Sequence, residues 1–138
     1  MATADTATPT TRSRVAHRSL WTLQILMGVF FIVASAAPKF WGDPYAVQIF
    51  TEIGTGQWFR YLVGAIELAG GIGLMVPRLA GPAAVGLMGL MIGAGYTQAV
   101  VLGAPAMVVT PVIIFVLAAV IAWGRRESIA AWIPERRR

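Results

Sequence analysis

Apolar residues come in long blocks along this chain, while polar residues are confined to the ends and to short interruptions. The blocks run from about Leu20 to Ala37, Trp58 to Val76, Leu79 to Leu102 and Met107 to Trp123. About 18 apolar residues cross a hydrocarbon layer of ~30 Å at ~1.5 Å per residue. Each block therefore predicts a membrane-spanning helix. Pro77-Arg78 and Gly103-Ala104-Pro105 punctuate short turns, which make neighbouring helices antiparallel. The expected fold is all-α: an antiparallel four-transmembrane-helix bundle over residues 19–124, flanked by a disordered basic tail (1–18) and a second basic tail (125–138).

Between the first two blocks, Asp43-Pro44 reads as an N-cap with proline at the first helical position, and Gly54 reads as a stop. These signals predict a short external helix over 45–53. Its Ala46, Ile49, Phe50 and Ile53 share one face, so it rests on the membrane surface or forms a lid over a cavity.

Composition supports the membrane reading. The chain is 57% hydrophobic and 12% charged, against about a quarter charged in soluble domains. The net charge of +5 would suit nucleic acid, but its arginines cluster at the termini: Arg12, Arg14 and Arg18 before the first block, Arg125, Arg126 and Arg136 to Arg138 after the last. With Arg78 in the middle turn, the positive-inside rule places both termini in the cytoplasm, so no nucleic-acid partner is expected. Trp21, Trp41, Trp58 and Trp123 lie near block ends, where aromatic rings favour the headgroup level. A competing reading takes Arg12–Arg18, the following apolar stretch and Ala34-Ser35-Ala36 as a cleavable signal, leaving three spans. His17 falls in the N-terminal tail and reads as a solvated side chain. In the other tail, Ile129, Trp132 and Ile133 form an apolar stripe among arginines, which suits anchoring on anionic lipid or docking of an acidic partner. The absence of cysteine excludes disulfides, thiol catalysis and thiolate metal sites.

Glu67 is the one carboxylate at the centre of a block. A charge at bilayer depth costs on the order of 3 kcal/mol or more, so such residues face a protein interior or an aqueous pocket. Gly64, Gly70 and Gly71 stand three or four residues from Glu67 and clear a groove beside it. Gly86, Gly89 and Gly93 recur on the third block, which predicts close packing of the second and third spans through glycine. Polar candidates near the acid are Gln24, Ser35, Tyr96, Thr97, Gln98 and Thr110. The cations Lys39 and Arg60 sit at the outer end, with Arg60 about 10 Å up the same face by the helical rise. Without a cation at hand, desolvation favours the neutral acid. Three roles remain open for Glu67: a structural hydrogen bond to a carbonyl or Gln98, recognition of a polar ligand head, or proton transfer. The candidate ligand-binding residues are Glu67, Gln98, Tyr96, Lys39 and Arg60. No histidine cluster, carboxylate pair or serine–histidine arrangement lies within the blocks, so neither catalytic residues, a metal site nor autonomous catalysis is expected.

The order of a first span closing on Pro38-Lys39-Phe40, a loop helix, Val63-Gly64-Ala65-Ile66-Glu67-Leu68-Ala69-Gly70-Gly71-Ile72-Gly73-Leu74, Pro77-Arg78 and two further spans resembles the DoxX-like membrane proteins from about Leu20 to Trp123. The glutamate followed by glycines, with the lysine closing the first span, is the most specific part. The resemblance implies a small subunit of the bacterial inner membrane, associated with respiratory or other redox enzymes, that binds quinone or a similar lipid-like molecule near Glu67. An assembly factor that recruits partner proteins, or a homo-oligomer, is the second expectation, and a small transporter the third.

Overall fold

A computed structural model describes residues 11–134 of the chain as helices joined by short turns. Helix α1 (Thr11–Val29) continues through a π-helical turn, Phe30–Ala36, into α2 (Ala37–Trp41). Helix α3 (Pro44–Ile53) comes next, then α4 (Gln57–Met75) and α5 (Ala80–Tyr96), which runs on through a second π-helical turn, Thr97–Val101. A 3₁₀ turn, Pro105–Val108, leads into α6 (Val109–Gly124), and α7 (Arg126–Ala130) closes the described chain. Helix α1 starts inside the segment expected to be a disordered tail. Residues 1–10 of that tail, and Arg136 to Arg138 at the other end, lie outside the described residues.

Three helical stretches among the described residues are long and apolar enough to cross a membrane, where four were expected: Ser13–Trp41, Ala80–Val101 and Pro105–Gly124. The difference lies in α4. It is 19 residues long, but Gln57, Arg60, Glu67 and the glycines at 64, 70, 71 and 73 lower its apolarity. Its two charges are buried in the protein, as intramembrane charge requires. Many large apolar side chains elsewhere face outward, among them Leu26, Val33, Ile92, Val100 and Val116. An outer surface of this kind suits lipid better than water.

The bundle core gathers Met27 and Phe31 from the first helix, Leu74 from α4, Ala84, Leu87 and Met91 from α5, and Ala118, Ile121 and Ala122 from α6. A close crossing joins α1 to α4. A Cβ on Gly71 would meet the Gly28 carbonyl oxygen at 2.9 Å and the Ile32 side chain at 3.0 Å. The glycines of α4 therefore divide between two neighbours, Gly64 and Gly71 facing the first helix and Gly70 and Gly73 facing α5. Gly64 lies against Lys39 and Phe40, while Gly70 takes the Leu87 side chain of α5. Gly86, Gly89 and Gly93, expected to meet α4 closely, instead stand beside open space. Gly28, a lone glycine in its block, supplies the contact that the glycine row of the third block was expected to make.

Helix α3 is held at both ends by the chemistry read from its sequence. Asp43 Oδ1 accepts from the Tyr45 and Ala46 amides at 3.0 and 3.3 Å, and Gly54 ends the helix at φ 82°. At the opposite end of the bundle, Gln24 is fully buried. Its Nε2 donates to the Leu74 carbonyl at 2.7 Å, and its Oε1 accepts from Arg125 Nε at 2.6 Å. That amide occupies one of the carbonyls left open where α4 ends. Burial lowers the Arg125 guanidinium pKa from its ordinary value, yet the group remains a cation at neutral pH. Arg125 also stacks 5.2 Å over Trp21 and approaches His17 Nδ1 at 3.4 Å. The tail expected to lie on lipid is folded back here. Ser128 Oγ accepts from the Gly81 amide, Ile129 packs on the core and Trp132 Nε1 donates to the Arg78 carbonyl.

Gly71→Leu forces apart the α1–α4 crossing and lowers stability by about 1–3 kcal/mol, the usual range for overpacking; Gly89→Ala leaves it unchanged, as thermal unfolding in detergent will report. Gln24→Leu strands a half-buried guanidinium donor and a helix-end carbonyl, so a loss of about 1–3 kcal/mol is expected in the same measurement.

Candidate functional site

Glu67 finds a cation after all. Lys39 Nζ lies 2.8 Å from its Oε2. Helical side chains lean toward their own N-terminus. Lys39, near the end of the first helix, therefore leans inward along the bundle, whereas Glu67, on antiparallel α4, leans outward. The two side chains converge across a separation that looks too long when residues are counted along a single helix. Gly64 makes room, since a Cβ there would stand 3.2 Å from Lys39 Cβ. The π-helical turn just before Lys39 also widens the helix where Ser35 lies. Such turns shift the register of the residues beyond them and are frequent at functional sites. Lys39 Nζ donates to the Ser35 carbonyl at 3.0 Å and stands 3.4 Å from Ser35 Oγ.

At that distance the two form a buried salt bridge, with the lysine ammonium against Oε2 of the acid. The pairing replaces the expected cation-free acid, because opposite charges in contact offset the cost of burying either one alone.

Arg60 plays a different part from the one expected. It is buried and its Nη1 donates to the Lys39 carbonyl, while Nε donates to Gln57 Oε1 at 2.7 Å. Its guanidinium also sits 4.4 Å from the centre of the Tyr61 ring. A cation on a carbonyl at the end of α2 meets the negative end of that helix. Arg60 thus holds the backbone of Lys39 in place, and the lysine side chain reaches the acid.

Beside the ion pair lies a cavity of about 570 Å³. Ser35, Pro38 and Lys39 form one wall and Phe59, Val63 and Glu67 a second. Gly89, Leu90, Met91, Gly93 and Ala94 of α5 form a third, continued by Thr97, Gln98 and Leu102. Helix α3 covers it: Ala46, Ile49, Phe50 and Ile53, the face read from the sequence, all line the space together with Tyr45. The lid version of that expectation describes its position. Phe50 packs against Phe59 of α4 at a ring separation of 5.8 Å, and Gln57 Nε2 donates to the Val47 carbonyl at 3.3 Å, so the cover is fastened to the wall beside it.

Among the candidates, the structure brings Glu67, Lys39 and Gln98 to one cavity. Arg60 stands behind it, and Tyr96 is 62% exposed, away from the lining. Gln24 and Thr110, expected as polar neighbours of the acid, lie elsewhere; Gln24 belongs to the Arg125 end. Asp43, Tyr45 and the apolar face of α3 were not among the candidate site residues, although the proline and glycine that bound α3 marked the helix itself. No group of histidine, cysteine, aspartate and glutamate side chains suited to a metal occurs among the described residues.

The arrangement joins a mainly apolar chamber to one buried, internally neutralised ion pair and a few hydroxyl and amide groups. Such a site suits a ligand whose small polar head accepts or donates a few hydrogen bonds while its body is apolar. No curated protein and no solved structure matches the chain. The model of the DoxX-like family matches residues 22–121, a stretch that contains every residue lining the cavity, and the chain is a membrane protein belonging to the DoxX-like family.

Proposed function

We propose that this protein is a non-catalytic membrane subunit that binds a lipid-like molecule with an uncharged polar head, such as a quinone, beneath α3. The observation that carries this reading is the cavity of about 570 Å³ ending on the buried Lys39–Glu67 pair. Its volume falls within the ~300–1,000 Å³ of small-molecule sites. Lys39 can donate to a carbonyl of the head, and Glu67 can accept from a hydroxyl. Gln98 and Thr97 offer further polar groups from the opposite wall. On this reading any redox role belongs to the ligand and to a partner enzyme. With both termini in the cytoplasm, as the arginine distribution favours, and in the bacterial inner membrane that the family resemblance implies, α3 and the cavity lie toward the external leaflet.

Lys39→Met leaves a buried carboxylate without its cation and lowers stability by about 3–5 kcal/mol. The double variant Lys39→Met, Glu67→Gln recovers most of that loss, yet fails to retain quinone or other lipid-like ligand that native mass spectrometry detects on the gently extracted wild type. Glu67→Gln alone also loses the ligand, with a smaller loss of stability because Lys39 keeps its bonds to Ser35. Unchanged ligand occupancy in folded Glu67→Gln and double variants would remove the binding reading and leave the ion pair a packing device.

A further inference from the structure

We propose that α3 is a gate on the cavity, latched by the amide of Gln57, so that access to Lys39 and Glu67 from the outer end depends on that side chain. The gate deepens the ligand-binding reading of the same cavity and rests on it only for what passes through. Ala46, Ile49, Phe50 and Ile53 of α3 line the cavity. On the opposite face Gln48, Thr51 and Glu52 are exposed, and Gln48 Nε2 donates to Glu52 Oε1 at 3.0 Å within the helix. The helix therefore lies between the cavity and the outside with its polar face uncovered.

The two ends of α3 are held differently, which lets the helix move as a unit. Its start is pinned, since the Asp43 amide donates to the Pro38 carbonyl at 2.9 Å and the Asp43 side chain caps the first turn. Its far end is joined to α4 by Gly54-Thr55-Gly56, whose glycines stand at φ 82° and 99°. Glycine crosses between positive and negative φ at little cost, and a few such positions at the end of an element can absorb a hinge motion.

Gln57, the first residue of α4, fastens the movable end. Its Nε2 donates to the Val47 carbonyl at 3.3 Å and to Thr51 Oγ1 at 3.1 Å, both on α3, while its Oε1 accepts from Arg60 Nε at 2.7 Å. A guanidinium can only donate. Arg60 therefore takes the amide oxygen and turns the amide nitrogen toward α3. Arg60 is itself buried and donates to the Lys39 carbonyl, so the latch is seated on the backbone of the residue that pairs with Glu67. The Phe50 ring on Phe59, 5.8 Å apart, adds apolar contact but no directed bond. Opening α3 breaks the two neutral hydrogen bonds of Gln57, whose net contribution corresponds to roughly tenfold in an equilibrium.

The chain has no cysteine, so an introduced thiol is the only one that reacts. The test measures alkylation by a water-soluble maleimide on the detergent-solubilised full chain, with Ala46→Cys on the cavity face of α3 and Glu52→Cys on its outer face. With Gln57 in place, Ala46→Cys is expected to react far more slowly than Glu52→Cys. Adding Gln57→Leu speeds Ala46→Cys by about tenfold, the ratio set by the two lost bonds, and leaves Glu52→Cys unchanged. Amide hydrogen exchange over residues 44–53 stays as slow as in the unsubstituted chain, because the helix swings without melting. Ala46→Cys reacting as fast as Glu52→Cys with the latch intact, an unchanged rate on adding Gln57→Leu, or fast exchange over 44–53 in that variant would each overturn the gate. A benzoquinone carrying a decyl chain is expected to slow Ala46→Cys by holding α3 closed. If Gln57→Leu speeds the reaction but this quinone does not slow it, the gate stands and quinone binding in the cavity falls. If the quinone protects and Gln57→Leu changes nothing, the cavity reading stands and the gate falls.

Discussion

A charge inside a membrane protein is tolerated only where the surrounding structure neutralises it, and at Glu67 that condition shapes one half of the bundle. The first helix must close on α4 to within the space of a glycine so that Lys39 can reach the acid. Arg60 must hold the carbonyl of Lys39, and the widened turn before Lys39 presents Ser35 to the same amine. Removing any one element disturbs the others because they share a small volume. Gly64 and Gly71 of α4 serve this approach, and Gly28 and Gly71 mark its narrowest point.

The other half of the bundle solves a related problem with a buried amide. Gln24 is buried and uses both ends of its amide, one on the last turn of α4 and the other on Arg125. Through Ser128 and Trp132 the same region ties α7 and the segment after it to the start of α5 and to the turn holding Arg78. The two ends of α4 are therefore fixed by different helices. Between them, α4 meets α5 closely at Gly70, beside Leu87, and at Gly73, beside Ala83, whereas Gly86, Gly89 and Gly93 of α5 stand clear of it.

Burial of polar groups at both ends also explains why α4 carries less apolar character than its neighbours. Part of its surface faces protein and a chamber, where Arg60 and Glu67 are satisfied or neutralised, so it does not need the uniform apolarity of α6. Hydropathy measures the average residue, whereas the membrane acts only on those that face it.

The block pattern by itself determined the helices, their antiparallel order, the cap and stop of α3, the face that α3 turns to the cavity, and the need for Glu67 to be buried in protein. These depend on local rules: helical periodicity, capping hydrogen bonds and the cost of charge in an apolar medium. Only the tertiary structure decided which helix fills each glycine face. Glycine permits approach from any neighbour and names none, so the row on α5 read as a contact although it borders open space. The partner of Glu67 was likewise beyond sequence distance. Lys39 and Glu67 are brought together by the opposite lean of side chains on antiparallel helices, a property of the pair that neither helix carries alone.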